Sequence, residues 1–432
     1  MKKYIIIPGC SDLNRGDQAL VWETKRLAEE CGFKGAFYLT SECNEPTEQS
    51  ERKGLYIISP VLEHPSRFFK NKENMQYTRS LKLKWGVVAL GDTFISLLLL
   101  WKPTRKLITP LLSAKRRKTI SLFENADGIF MKGGGLLQTY GGITATYSMY
   151  FWTYPLFLAH RMGKPVYVMP NSFGPFEGPL VKNIAKAALK PCKVVTSRET
   201  ISQRMVEEQL KLKIRNYPDL AFLLPKANVK EEAIRKQYNL PMDRKLVAIT
   251  MRPYRFPSVS NPEAAYSFFK QEMGKFIQWL YNNGYMPVIV EHTLAINAHE
   301  NDGACIMDVI QKLNKNEYCI ISNKDLDCMQ LKTIYGMCDY IVGTRFHSMI
   351  FAFGNGVPGI AIAYTGNKSQ GIMHDMGLDN YVVMISDVSQ DILSKKFSRL
   401  IEEEREVKNK ISEYLSKCES ARQELISMCS EN

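Results

Sequence analysis

A chain of 432 residues, 45% hydrophobic and 23% charged, is globular. At roughly 150 residues per domain it is expected to form two or three units rather than one core. Of its net charge of +13, a local +11 lies between Pro65 and Lys118, where thirteen basic residues face two acidic ones, leaving +2 for the rest of the chain. That concentration excludes a body coated for nucleic acid, whose basic residues would line a face of the fold, and marks one special segment.

The opening MKKYIIIPGCSD has only Tyr4 to Ile7 as an apolar run before Pro8 and Gly9. This is short of the roughly 7 to 15 residues of a signal-peptide core, so a cytoplasmic location is expected. Tyr4 to Ile7 reads as a first strand, followed by the loop PGCSDLNRGD and a helix with apolar positions at Leu20, Trp22 and Leu27. Asn14, Gly16 and Asp17 fall where loop becomes helix. A glycine there lets backbone approach a ligand, while Asp17 suits either a functional carboxylate or an ordinary N-cap.

An insertion at about 64–122 interrupts this series. Its centre, Gly86 to Trp101, is apolar for 16 residues but contains Asp92, and it falls short of the roughly 20 needed to span a bilayer. Basic clusters flank it on both sides. Two readings stay open: contact with an anionic leaflet, to which each basic residue contributes about 1 kcal/mol, or a helix pair buried against protein or in an oligomer interface.

Further strands are expected at Asp127 to Met131, running into Gly133, Gly134 and Gly135, at Pro165 to Met169, ending in NSFGPF, and at Lys193 to Thr196 before the helix of SRETISQRM. Short buried strands each followed by a helix predict a doubly wound parallel sheet. Pro225 and a charged stretch place a boundary near residue 226. A second series follows at Leu246 to Met251, Pro287 to Val290, Tyr318 to Ile321, Tyr340 to Val342 and Gly359 to Ile362. The expected organisation is therefore α/β, with two Rossmann-like domains, 1–225 and 226–388, facing a central cleft. Amphipathic helices over 389–432 carry Ile392, Leu400, Val407, Ile411, Leu415 and Leu425.

The most informative stretch is DYIVGTRFHSMIFAFGNGVPGIAIAY, Asp339 to Tyr364. With a strand to Thr344 and a helix from Ser348, Arg345 and His347 lie at a strand end facing a helix N-terminus. Side chains two apart on a strand point the same way, so both are expected in one crevice, an arrangement suited to a phosphorylated or carboxylated anion. Arg252, ending the first strand of the second series in TMRPYRF, is a candidate second clamp, and Lys368 in TGNKSQG a candidate phosphate contact. The triple glycine is neither a Walker loop nor GxGxxG, so NAD and ATP are not expected. Ten cysteines show no CxxC pair, and the histidines at 64, 160, 292, 299, 347 and 374 show no HExxH, so no protein-bound metal is expected. His292 reads as structural.

In order, GCSDLNRGDQAL, DGIFMKGGGLLQTYGG, VMPNSFGPF, TSRETIS, YPDLAF, the strand leading to Arg252, and GTRFHSMIFAFGNGVPGIAIAY with Lys368 resemble the polysaccharide pyruvyl transferase family. The resemblance runs from about residue 5 to about 380. It implies a GT-B-like outline with the donor bound mainly by the second domain. The implied reaction transfers a pyruvyl group from phosphoenolpyruvate to two hydroxyls of a sugar, giving a cyclic ketal on a cell-surface polysaccharide or its lipid-linked precursor. Phosphoenolpyruvate would be a co-substrate, with no further cofactor. His347 is then the candidate proton donor, its imidazole keeping a pKa near working pH. Arg345, Arg252 and Lys368 would hold the donor with the helix start at Ser348, and Arg345 and Asp17 would assist catalysis. Asn14, Gly16, Asp17, Gly133, Gly134, Asn171 and Ser172 would line the acceptor side. An enzyme of this kind is expected to lie peripherally on the inner face of the membrane through about residues 70–118, with a homo-oligomer left open. The alternative is a GT-B glycosyltransferase using a nucleotide sugar. It would want a carboxylate for the ribose hydroxyls, and Gly356 to Gly371 contains none. A membrane-associated scaffold with a decayed site is disfavoured by the intact Arg345 and His347.

Overall fold

The computed structural model describes residues 1–430 except 42–44, 66–68, 70–77, 258, 295–299 and 365–366. Arg67, Lys70 and Lys72 of the basic segment, and His299, lie outside the described residues.

Fourteen described strands form two sheets, with every recorded strand pair parallel. The first holds β1 (Lys3–Ile7), β2 (Ala36–Thr40), β3 (Leu55–Ile58), β4 (Gly128–Met131), β5 (Gly134–Tyr140), β6 (Val166–Glu177), β7 (Val194–Ser197) and β8 (Arg215–Asn216). Its order is β3-β2-β1-β4-β6-β7-β8, with β5 paired to β6. The second holds β9 (Lys245–Thr250), β10 (Tyr285–Val290), β11 (Cys319–Ile321), β12 (Tyr340–Gly343), β13 (Gly359–Ala363) and β14 (Val382–Met384), ordered β11-β10-β9-β12-β13-β14. Both sheets wind outward from a central pair, β1 with β4 and β9 with β12, and the strand order reverses there. Crevices for ligands open at the carboxyl ends of such pairs.

Alternation along β1 shows how the sheet is buried on both faces. Tyr4 and Ile6 enter one apolar core, which continues into the second domain, while Ile5 and Ile7 enter the other. The triple-glycine segment opens a strand of its own, one beyond those expected from the sequence. β6 runs on through Asn171 to Glu177, past the end of β4, and its exposed edge takes β5 as partner, Gly134 opposite Asn171 and Tyr140 opposite Glu177.

The helices that shape the cleft and its surroundings are α1 (Arg15–Glu30), α2 (Arg79–Leu100), α3 (Ala145–Arg161), α4 (Asp302–Ile310), α5 (Cys328–Gly336), α6 (Phe346–Phe353), α7 (Asn367–Asp375), α8 (Gln390–Glu402) and α9 (Glu404–Ser430). The insertion forms α2 and two shorter helices, Lys102–Ile108 and Ala114–Glu124. α2 lies on α3, where the Ser96 and Tyr150 hydroxyls are 2.7 Å apart.

The two sheets meet closely. Asn14 bridges Thr293, the Arg15 guanidinium donates to the Asn323 carbonyl at 2.9 Å, and the Cys328 amide donates to the Gln18 side chain at 2.8 Å. α9 returns from the second domain to the first, where Arg422 donates to Glu30 at 2.8 Å and to the buried Glu23 at 3.2 Å. Charge-assisted hydrogen bonds are the strong ones when desolvated. Arg422→Ala is therefore expected to lower stability by about 2 kcal/mol and to raise amide exchange first in α9. An unchanged urea midpoint would show that α9 is held by packing alone.

Candidate active site

Both reversal points open onto one cleft. On the first-domain side, β1 leads through a loop to Asn14, whose side chain caps α1 by accepting from the Gly16 and Asp17 amides at 3.0 and 3.3 Å. The cap is thus Asn14, and Asp17 is left to face the cleft, where it accepts from the Lys132 ammonium at 2.5 Å. Lys132 follows β4 directly and is buried. Burial pushes the Asp17 carboxyl up, but the attached Lys132 and the nearby His347 outweigh it and hold it down at about 2. Asp17 is therefore ionised at neutral pH, and its contribution to a paired site is lost only as pH falls toward that value.

On the second-domain side β12 ends at Gly343 and α6 begins at Phe346, two residues earlier than expected. Arg345 is consequently the N-cap residue and His347 belongs to the first helical turn, so their side chains diverge instead of sharing a strand face. His347 points to the first domain. Its Nδ1 lies 3.3 Å from the Lys368 Nζ and its Nε2 3.7 Å from Asp219 Oδ2, an ion-pair distance too long for a hydrogen bond. Gly16 packs against the same ring, and a Cβ built there would fall 2.2 Å from Nδ1. Any side chain at position 16 displaces the imidazole.

Asp219 lies on the segment joining the sheets. It accepts from the fully buried Arg198 at 2.6 Å and from the Ala221 amide at 2.9 Å. Burial opposes its charge, yet His347 and Arg198 hold its carboxyl well below the usual range. His347 shifts the other way from expectation. Burial, reinforced by Lys368, lowers it to about 4, so the imidazole is neutral at pH 7 rather than poised near it. Lys368 is itself lowered to about 7 by burial and by Arg198, which makes it the group titrating at working pH.

Arg345 does not present its fork to the cleft. The guanidinium reaches the first turn of α4, where Nη2 and Nε donate to Asp302 Oδ1 at 2.6 and 2.9 Å and Nη2 also reaches the Glu300 carbonyl at 3.2 Å. The bidentate hold expected on a ligand anion is taken by Asp302, a fully buried carboxylate that needs the charge. Ser348 also points into the protein. It is fully buried, and its hydroxyl lies 2.9 Å from that of Thr250 and 2.5 Å from the Arg345 carbonyl. Arg252 is half-buried, donates to the Tyr364 hydroxyl at 2.7 Å and stacks 4.6 Å above that ring. Burial raises the Asp302 carboxyl, and Arg345, with a smaller part from Arg252, opposes that rise without cancelling it.

The expected acceptor-side residues of β6 are buried as well. Asn171 donates to the Lys132 and Met169 carbonyls at 3.0 and 2.8 Å, and Ser172 accepts from Arg198 Nε at 2.8 Å and donates to Glu199 at 3.1 Å. Their bonds tie Lys132, Arg198 and Glu199 together beneath the cleft. Gly133 lets the cleft floor close, since a Cβ would meet the Pro170 carbonyl at 2.8 Å. A Cβ at Gly134 would sit 3.7 Å from Asn171 Oδ1 and 3.9 Å from Lys132 Nζ, and one at Gly135 3.4 Å from Arg198 Nη2. Asn171 Oδ1, Arg198 Nη2 and His347 Nε2 are buried polar atoms without a hydrogen-bond partner in this one patch. Unsatisfied groups gathered at a cleft floor are what a bound polar ligand or water would complete.

Sequence reasoning missed Lys132, Arg198, Glu199, Asp219 and Asp302. A signal existed for four of them, because Lys132 directly precedes the triple glycine, Arg198 and Glu199 follow β7 in TSRETIS, and Asp219 lies in YPDLAF. Glu199 is raised to about 7, chiefly by burial, which makes it a second group titrating near neutrality. Among the described residues no cluster of three or more His, Cys, Asp or Glu side chains is arranged to hold a metal ion.

Comparison with known proteins agrees with this architecture. The chain is 26% identical over 275 residues to the amylovoran biosynthesis protein AmsJ of Erwinia amylovora, covering 58% of this chain and 64% of that protein, so it spans just under two thirds of that relative's length. A putative UDP-N-acetylglucosamine 2-epimerase from Listeria monocytogenes matches with a TM-score of 0.56 at 12% identity, over 95% of this chain and 90% of that one. The UDP-GlcNAc 2-epimerase from Neisseria meningitidis bound to UDP-GlcNAc matches with 0.55 at 12% over 100% of both. At such identity these likenesses show the fold, a GT-B pair of parallel-sheet domains with a helical C-terminus. The polysaccharide pyruvyl transferase family model matches residues 14–366, from the cap of α1 to two residues before Lys368 in the sequence, and the chain belongs to that family.

Proposed function

We propose that this protein transfers a pyruvyl group from phosphoenolpyruvate onto two hydroxyls of a sugar in an exopolysaccharide or its lipid-linked precursor, forming a cyclic ketal. The observation that carries this reading is the meeting of His347 and Lys368 from the second domain with Asp17–Lys132 and Arg198–Asp219 from the first. Cations, carboxylates and a neutral imidazole gathered in one buried patch suit a small dianionic donor and a neutral sugar diol.

In this scheme a proton from the His347–Lys368 pair adds to the methylene carbon of phosphoenolpyruvate, leaving an oxocarbenium-like centre at C2. One sugar hydroxyl bonds to C2 and gives its proton to a base, for which the ionised Asp17 is positioned. The C2–O bond to phosphate then breaks, and the second hydroxyl closes the ring as its proton leaves with the phosphate. Burial, and after it Lys368, holds His347 down; the donor's negative charge offsets the Lys368 part, so substrate binding moves the imidazole toward carrying a proton. Asp219 behind Nε2 supports the resulting imidazolium. Lys368 and Arg252 are the donor-facing cations, and Arg345 acts through Asp302 to position the turn before α4.

Incubating the purified enzyme with phosphoenolpyruvate and a panel of lipid-linked sugars, then scoring a pyruvyl mass increment together with free phosphate, tests the reaction. Transfer from a nucleotide sugar instead would replace it with the glycosyltransferase reading. His347→Ala is expected to lower turnover by a factor of about 100 or more while the fold persists. A full rate in that variant removes His347 from the chemistry. Because only protonated Lys368 attracts the donor, donor affinity is expected to fall as pH rises through about 7, and Lys368→Met should flatten that limb; an unaltered pH profile in the variant would count against it. Gly16→Ala should depress turnover more than donor affinity by moving the ring, and equal effects on both would point to general misfolding instead.

A further inference from the structure

α2 leaves much of its apolar surface uncovered. Asp92, Ser96 and Leu99 of its second half face the protein, Asp92 buried 3.6 Å from Arg116 and Ser96 against Tyr150. Its opposite face carries Leu83, Val87, Leu90, Phe94, Leu97 and Trp101, each between 52% and 74% exposed. These six alternate in steps of four and three residues, the spacing that keeps side chains on one line along a helix. Leu107 and Leu111 extend the exposed apolar surface beyond Trp101. A continuous stripe of this size, about 33 Å long over 22 residues, marks a contact surface.

We propose that this stripe seats the protein in the plane of an anionic lipid leaflet. Charge selects that occupant. The stripe lies within the segment whose local charge is +11; Lys84 on α2 and Lys102 and Lys106 just beyond it are exposed, as is Lys118 on the helix Ala114–Glu124. A second copy would bring two such segments face to face, whereas acidic headgroups neutralise one. By length and composition Leu83–Leu100 could cross a bilayer, but the second half of α2 is packed through Asp92, Ser96 and Leu99 on the first domain's core, including α3, which disfavours a spanning arrangement. The helix therefore lies flat, with the apolar face at the acyl boundary and the lysines at headgroup level.

The orientation places the surface near the cleft. Asp92 lies by Tyr147 and Ser96 by Tyr150, so α2 and α3 run in the same direction. α3 begins after the carboxyl end of β5, so the first half of α2 extends on the carboxyl side of the first sheet, the side that carries the site. An acceptor held in the same leaflet would then reach the cleft without leaving the membrane. That consequence rests on the proposed reaction, whereas lipid docking does not.

The test is co-sedimentation of the full-length chain with vesicles of phosphatidylcholine alone and of phosphatidylcholine mixed with phosphatidylglycerol. The expected result is strong, salt-sensitive binding to the mixed vesicles and weak binding to the neutral ones. Combining Leu90→Glu, Phe94→Glu and Leu97→Glu should reduce binding by about tenfold or more with unchanged circular dichroism and melting temperature. Lys102→Ala with Lys106→Ala and Lys118→Ala should weaken binding to the mixed vesicles only. Binding that survives the glutamate substitutions overturns the proposal. So does a dimer in solution that those substitutions split while vesicles stay unbound by the original chain. Neither result alters the pyruvyl assay on a water-soluble acceptor, so failure of the docking and failure of the chemistry remain separate outcomes.

Discussion

Asp219 is the carboxylate on which the cleft depends. It is buried on the segment between the two sheets, bonded to Arg198 just after β7 and facing His347 in the first turn of α6. A buried carboxylate is tolerated only where cations and amides repay its lost hydration, and removing one partner of such a pair typically costs about 3–5 kcal/mol. The arrangement therefore locks three separate parts of the chain into one geometry. Arg198 in turn anchors Ser172, and Ser172 meets Glu199, so the network runs under the whole cleft.

Around that network the two sheets repeat one solution. Each presents the carboxyl ends of its central strands to the cleft, β1 and β4 supplying Asp17 and Lys132, β9 and β12 supplying Arg252 and His347. On the first-domain side Asp17 and Lys132 neutralise each other, as do Asp219 and Arg198, which limits the repulsion within the cleft. They also drive neighbouring groups apart in protonation, with Asp17 low, His347 neutral, and Lys368 and Glu199 near neutrality. Such separation of proton affinities is a usual mark of acid–base sites.

Much of this frame was legible in the residues. Tyr4 to Ile7, Pro287 to Val290 and Gly359 to Ile362 are short runs buried on both faces, and a run of that kind between turn residues has few alternatives to a parallel strand. β5 was hidden because glycines at its start suggest a loop, and only the unpaired edge of an overlong β6 recruits it. The direction of Arg345 was hidden for a similar reason. Asp302 lies 43 residues earlier, and no local pattern says that this carboxylate needs a partner. Lys132 and Asp17 are 115 residues apart, and β1–β4 pairing alone brings them together. In the insertion, composition revealed the apolar run, but which face it turns outward is a property of its packing on α3.

The contact between Gly16 and His347 has a kinetic meaning. The wall that seats the imidazole belongs to one half of the molecule and the ring to the other, so any hinge motion that parts them unseats the reacting group. An open cleft flooded by solvent then holds a dismantled catalyst, and the enol ester of the proposed reaction is shielded from wasteful hydrolysis until both ligands are enclosed.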